Sequence, residues 1–265
     1  MPELPEVEVR RLYLESTSLG RKISRVAVLD KRILDSVTPS TLGRGLKGAR
    51  FLAAHRRGKY IYVPTDRQST LLMHFGMGGE LLFIEHGGQP EPKWCRVEFH
   101  FDSGACLHYT NMRLIGKIAL YPTLDEREIP DIAKLGPEPL SRAFTYKMFR
   151  EIVRGHRTTI HQLLMDQALI AGIGNIYSDE ITYQAGIRPD RRTSSLSGED
   201  TRLLYDRMKR VLRRAVELGA ELDDHPGEFI IPHRGKNGAC PRSHGGLIKK
   251  TIGGRTSYFC PACQK

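Results

Sequence analysis

The chain has 265 residues, with 41 Lys and Arg against 30 Asp and Glu, for a formal net charge of +11. That length is ample for a buried core and suggests one large domain or two of medium size, while the positive excess points to a polyanionic partner, nucleic acid ahead of a membrane surface. No run of about 18 apolar residues is present, so no membrane span is expected. Acids stand near the N-terminus where a secretory signal needs positive charge and an apolar stretch, so a cytoplasmic protein is expected, nucleoid-associated in a bacterial setting.

The chain opens Met1-Pro2-Glu3-Leu4-Pro5-Glu6. Removal of the initiator Met leaves Pro2 with a secondary amine in place of an amide. Such an amine titrates near pKa ~8, so a useful fraction is neutral at physiological pH. It can attack an aldehyde-level carbon and form an iminium ion, as a Schiff-base lysine does. Glu3 and Glu6 follow at a spacing that places both on one face of a helix. The plainer reading is helix-start chemistry, a proline with acids in the first turn.

Short apolar or alternating runs predict strands at Val26 to Leu29, Lys59 to Val63, Thr70 to His74, Glu80 to Ile84, Arg96 to Phe101 and Ala105 to Thr110. Gly- and Pro-rich segments such as His86 to Pro92 separate them, and strands this short and close together suggest a β-sandwich. Pro130, Pro137 and Pro139 mark a linker. Helical segments follow at about 145–154, 158–168, 175–185 and 198–218, the last with Ser197 as its predicted N-cap. Its Leu203, Leu204, Met208, Val211, Leu212 and Ala215 repeat at helical spacing and read as core.

Between two of these helices lies Ile170-Ala-Gly-Ile-Gly-Asn-Ile-Tyr-Ser-Asp-Glu180. Gly172 and Gly174 permit close backbone approach, Asn175 can cap the next helix, and free N–H groups at a helix start form an anion site. With Arg154, His156 and Arg157 just ahead, the unit reads as a phosphate-binding helix–turn–helix; the alternative is a solvated basic face.

Cys95 and Cys106 lie in strand-like stretches and read as free core thiols. Cys240, Cys260 and Cys263 cluster near the C-terminus. Ser243 stands where a second close thiolate would fall, and His244 is the nearest substitute, with His233 in reserve. Four donors at Cys240, His244, Cys260 and Cys263 suit one structural Zn2+ with no open position.

These residues add up to a resemblance. The blocks Met1–Arg10, Arg56-Arg-Gly-Lys-Tyr60, His74-Phe-Gly-Met77, Leu135–Leu140, Ala171–Glu180 and Tyr258–Gln264 resemble, in order, those of the formamidopyrimidine-DNA glycosylase / endonuclease VIII family of base-excision repair enzymes. The resemblance implies an α+β, two-domain fold: an N-terminal helix and β-sandwich catalytic domain over 1–125, a linker over 126–140, a helical helix-two-turn-helix domain over 141–228, and a zinc-finger β-hairpin over 229–265. It implies a bifunctional DNA glycosylase/AP lyase that flips an oxidised base out of duplex DNA. Pro2 would attack the sugar C1′, Glu3 would serve in proton transfer, and Glu6 would support the first helix. Lys59 and Arg255 match residues that grip phosphate near the lesion and assist elimination. His74, Arg157 and Asn175 match DNA-contacting positions, while Met77 and Arg113 match residues that fill the hole left by the flipped base. The partner would be double-stranded DNA carrying an oxidised base or an abasic site, bound by a monomer.

Departures from the formamidopyrimidine branch bear on specificity. Ile115 stands where an aromatic wedge is expected, Trp94 where a DNA-contacting histidine aligns, and His161 where a lysine does. The connection from Glu217 to Phe229 is short where that branch carries a loop that folds over 8-oxoguanine. Formamidopyrimidines, with oxidised pyrimidines and hydantoins as the alternative, are therefore expected at least as strongly as 8-oxoguanine. A damage-binding paralogue without catalysis is the alternative of another class; all these readings give salt-sensitive DNA binding, so only covalent chemistry separates them.

Overall fold

A computed structural model describes residues 1–85, 92–220, 225–235 and 237–265. The chain divides into two compact units, one of Met1–Pro2 with Val7–Lys134, the other of Glu3–Glu6 with Leu135–Lys265. Helix α1, Leu4–Ser18, contributes its first turn to the second unit and the rest to the first.

In the first unit, strands β1 (Ile23–Val28), β6 (Cys95–Phe101), β7 (Cys106–Asn111) and β5 (Gly79–Ile84) form one antiparallel sheet in the order β1-β6-β7-β5. Strands β2 (His55–Arg57), β3 (Tyr60–Pro64), β4 (Thr70–His74) and β8 (Lys117–Tyr121) form the other, in the order β2-β3-β4-β8. Period-two alternation is the reason they face each other: Val97, Phe99 and Phe101 of β6 turn inward with Ile61 and Val63 of β3 and Leu71 and Met73 of β4. Phe51 and Phe99 meet edge to face at 6.0 Å between centroids, and each such fully buried ring contributes about 1.5–3 kcal/mol. The sandwich expected from the sequence is present. Helix α2, Pro39–Leu46, was not anticipated; it is capped by Thr38 and buries Leu42 and Leu46, one turn apart, in the same core. The expected linker carries a 3-10 turn and a short helix α3, Pro130–Ala133, which lie with the first unit.

In the second unit, α4 (Tyr146–Gly155), α5 (Ile160–Met165), α6 (Asn175–Gln184) and α7 (Gly198–Glu217) enclose a core that includes Phe149, Leu164, Ile181, Leu204, Met208 and Leu212. The side chains of Thr145 and Thr159 cap α4 and α5. Ser197 caps α7 in a full capping box with Asp200. Strands β9 (Ile248–Ile252) and β10 (Arg255–Phe259) form a hairpin turned through Gly253 and Gly254. Two stretches named in the sequence reading, 86–91 in the loop after β5 and 221–224 in the short connection after α7, lie outside the described residues. Among the described residues, no helix is long and apolar enough to cross a membrane.

Candidate active site and metal centre

Pro2 is buried and precedes α1. Glu3, only 3 % exposed, sends its carboxylate into the start of α6. The backbone N–H of Gly174 donates to Oε2 at 2.6 Å, that of Ile176 to Oε1 at 2.7 Å and that of Tyr177 to Oε2 at 3.2 Å. These are N–H groups that a helix leaves without internal partners, and the helix dipole favours an anion there. The geometry corrects two expectations. The residue before α6 is Gly174, and Asn175 makes no capping bond. The anion seated on those backbone N–H groups is the protein's own Glu3. Gly174 has a local reason: a Cβ built on it would stand 2.5 Å from the Glu3 carboxyl carbon.

Glu6 lies directly beneath. Its Oε2 accepts the Glu3 N–H at 2.7 Å, and its Oε1 accepts the Tyr177 hydroxyl at 2.9 Å. Burial raises the Glu6 carboxyl, and the neighbouring Glu3 adds to the rise. Burial and the same carboxylates push the Tyr177 phenol far up, so it stays protonated. His225 Nε2 stands 3.3 Å from that hydroxyl. Neither Tyr177 nor His225 was singled out from sequence, because their partners lie far away along the chain.

Lys59 lies in the β2–β3 turn, after Gly58 at φ +58°. His74 ends β4 against the Tyr60 ring, 4.8 Å between centroids. Burial lowers His74 to about 4, helped by the positive charges of Lys59 and Lys117. The neutral ring then accepts the Gly76 N–H through Nδ1. Lys117 bridges Asp35 and Asp131. The turn after β4 meets the loop after β7: Arg113 donates to the Met77 sulfur at 2.8 Å. Gly76, at φ +55°, allows the approach, since a Cβ there would fall 2.5 Å from the Ile115 carbonyl oxygen. Met112 and Ile115 are exposed on that loop.

Asn175 turns outward from α6. Its Nδ2 donates to the Thr256 carbonyl at 2.7 Å, and its Oδ1 lies 3.1 Å from His161 Nε2. Arg255, exposed, opens β10 beside that carbonyl. Arg157 is exposed and lines a cavity of about 330 Å³ with Arg150, Arg154 and His156. The hairpin is fastened to α6 by the buried Asp179, which accepts from Ser257 Oγ at 2.6 Å and Tyr258 N–H at 3.0 Å, and pairs with Arg234 at 2.9 Å.

The donor atoms of Cys240, His244, Cys260 and Cys263 all lie within 4.8 Å of one another. Cys240 Sγ and Cys263 Sγ are 3.5 Å apart, and His244 Nδ1 is 2.9 Å from Cys263 Sγ. Tetrahedral zinc–thiolate bonds of about 2.3 Å put sulfurs about 3.8 Å apart, so this donor set fits a structural metal. His233, the reserve candidate, points instead to the Gly227 carbonyl. The Tyr183 hydroxyl, 3.4 Å from Cys240 Sγ, supports that thiolate from outside the donor set.

A β-sandwich, a helix pair joined by a glycine turn that grips an N-terminal glutamate, and a metal-binding hairpin together define a class of DNA-repair glycosylase. Residues 1–118 match the family model for the formamidopyrimidine-DNA glycosylase N-terminal domain, and residues 135–224 match that for its H2TH domain. The chain is 34% identical to the formamidopyrimidine-DNA glycosylase of Pelotomaculum thermopropionicum, covering 100% of this chain and 99% of the relative. It is 36% identical to that of Pelobacter propionicus, with 100% of both covered. The solved Lactococcus lactis enzyme, non-covalently bound to DNA containing an AP site, superposes with a TM-score of 0.88 at 31% identity over 99% of each chain. Its complex with FAPY-dG-containing DNA gives a TM-score of 0.86 at 30% identity, over 99% of this chain and 100% of that one. The chain belongs to the formamidopyrimidine-DNA glycosylase family.

Proposed function

We propose that the chain is a bifunctional DNA glycosylase/AP lyase that removes oxidised bases, formamidopyrimidines first, from duplex DNA. The observation that carries this reading is the N-terminal arrangement. Next to Pro2, the Glu3 carboxylate is fixed by three backbone N–H groups at the start of α6, with Glu6 fixed beneath it by the Glu3 N–H and the Tyr177 hydroxyl. A reacting amine needs such rigid neighbours, because a misplacement of about 1 Å can cost about 10²-fold in rate.

With Met1 removed, the Pro2 nitrogen uses its lone pair to bond to C1′ of the flipped nucleotide, and the bond from C1′ to the base breaks. Glu3 takes the proton that the Pro2 nitrogen loses on bonding and passes it to the deoxyribose ring oxygen as the ring opens to the iminium. Loss of a C2′ proton then expels the 3′ phosphate, a second elimination expels the 5′ phosphate, and hydrolysis of the iminium frees Pro2. Lys59 and Arg255 hold the phosphates that flank the lesion, while His74, Arg157 and Asn175 hold the backbone further along. Met77 and Arg113, already in contact with each other, fill the vacated stack, where Met is pliable and Arg can bond the widowed base. Cys240, His244, Cys260 and Cys263 hold one Zn2+, whose part is to fold the hairpin that carries Arg255. The short connection after α7 makes formamidopyrimidines, oxidised pyrimidines and hydantoins at least as good substrates as 8-oxoguanine.

Borohydride trapping tests the reading on duplexes carrying a formamidopyrimidine, 8-oxoguanine, thymine glycol, a hydantoin or an abasic site. Protein with a free Pro2 terminus should give a covalent adduct. Protein with a non-removable residue ahead of Pro2, whose nitrogen is then a tertiary amide, should give none. An adduct that survives the extension, or no adduct from the free terminus on DNA it binds, would overturn the iminium mechanism. The order of trapping efficiencies ranks the lesions.

A further inference from the structure

A second group of metal-type donors lies on the sandwich, in the first unit and unrelated to the hairpin. Cys95 and Glu98 of β6 and His108 of β7 bring their ligand atoms within 4.8 Å of one another. Cys95 should not be there. In an unbroken strand, Cys95 would share the inward face of Val97 and Phe99. The β6–β7 register slips between Cys95 and Val97, so Cys95 pairs with Thr110 while Val97 pairs with Tyr109. Thr110 and His108 lie on one face of β7, and Glu98 pairs with His108. The bulge therefore turns Cys95 onto the face of Glu98 and His108, which is how bulges re-aim a side chain. The entry is made by Trp94 at φ +64°, a left-handed conformation that a bulky residue adopts at a cost.

The spacing also suits a metal. His108 Nδ1 is 3.5 Å from Cys95 Sγ and 3.5 Å from Glu98 Oε1. The Glu98 distance exceeds the about 2.9–3.0 Å that an N–H···O bond prefers, while the Cys95 distance is within hydrogen-bond reach of a sulfur. Donors on one tetrahedral zinc, at about 2.0–2.3 Å from it, stand about 3.4–3.6 Å apart. The Cys95 thiol also reaches the Val97 carbonyl at 3.7 Å, so the bulge places it between that carbonyl and His108. Glu98 Oε2, the other carboxylate oxygen, lies 2.8 Å from His100 Nε2, which in turn lies 2.9 Å from the Arg25 guanidinium. Ligating carboxylates are commonly hydrogen-bonded from outside the donor set. Cys95 and His108 are 7% and 6% exposed, so the donors sit close beneath the surface.

We propose that Cys95, Glu98 and His108 form a second metal site for a zinc-like divalent cation, bound through thiolate, carboxylate and imidazole Nδ1. Three protein donors leave a fourth position for water or an exogenous ligand. Binding displaces the Cys95 thiol proton to solvent, and the bound ion ties β6 to β7 across the bulge.

The test is a titration of the full chain with Co2+ while the hairpin site is kept filled with Zn2+. Tetrahedral thiolate-bound cobalt has a ligand-to-metal charge-transfer band and strong visible absorption. One further equivalent of Co2+ should bring up this spectrum, and added Zn2+ should bleach it. Cys95→Ser should abolish the charge-transfer band, and His108→Gln should weaken uptake at least about tenfold. Cys106→Ser, a change to the neighbouring thiol, should leave the band intact. The hairpin zinc, counted by elemental analysis, shows that each variant is folded. No band with the hairpin filled would overturn the proposal. So would a band that persists in Cys95→Ser, since it would report exchange into the hairpin, or one lost in Cys106→Ser.

Discussion

Gly174 has φ −127°, an ordinary extended value, so its demand for glycine is not conformational. It comes from the Glu3 carboxyl carbon, 2.5 Å from where a Cβ would stand. Gly174→Ala must push the carboxylate off the N–H groups at the start of α6, and single-turnover base excision should fall by about 10²-fold with the metal content unchanged. An unaltered rate would mean that Glu3 does not need its seat. His74 gives a second test at this scale. Burial lowers its folded value to about 4, below the ordinary 6.5, so the unfolded chain binds more protons between those values. Its contribution to stability is full above pH 6.5, declines as the pH falls to about 4, and is level below that. Denaturation curves of wild type and His74→Gln should therefore converge across that window. Curves that stay parallel would place the ring in water.

At the scale of elements, α6 is the hub of the second unit. Its start seats Glu3, Asn175 holds the hairpin strand β10 through the Thr256 carbonyl, and Asp179 holds Ser257, Tyr258 and Arg234. Asp179→Ala would leave the Arg234 charge, 14% exposed, without its carboxylate. A loss of about 3–5 kcal/mol is expected for the second unit. Hydrogen exchange should show lost protection in β9 and β10, with the sandwich strands unchanged; loss spread evenly over both units would refute a local fastening. What the sequence made legible follows the same division. Helix α7 was readable because its apolar spacing and its Ser197 cap are local, and β4 coincides with the run Thr70 to His74 for the same reason. Strand β2 is His-Arg-Arg, with no apolar alternation to mark it, and is ordered by pairing with β3. Helix α2 carries Gly43 and Gly45 and is held by burying Leu42 and Leu46. The metal donors were visible because their spacing lies within one short tail. The seat of Glu3 was not, since the partners stand 171 to 174 residues apart. The Cys95 bulge escaped too, because a slip in register leaves no mark on an apolar alternation.

At the scale of the whole molecule, the net charge of +11 is the property that its partner would meet first. Part of it is cancelled within the fold: Arg56 pairs with Glu8, Arg96 with Asp30, Arg234 with Asp179, and Lys117 with two aspartates. The remainder is not spread evenly. In the second unit, Arg150, Arg154, His156 and Arg157 line one cavity, and Arg210, Arg213 and Arg214 line another of about 570 Å³. Binding to an undamaged duplex should then be dominated by release of counterions from phosphate, with the logarithm of affinity falling linearly against that of salt at about −0.9 per phosphate neutralised. Under the proposed function, Arg157→Ala and Arg255→Ala should each flatten that slope by about one unit, because each would remove a phosphate contact without reading a base. Arg213→Ala discriminates between the two cavities. If the DNA follows the Arg157 side only, the Arg213→Ala slope equals that of wild type. An equal flattening in all three variants would instead mean that the basic surface acts as a diffuse cloud of charge, and that the phosphate roles given to Arg157 and Arg255 are not specific to those positions.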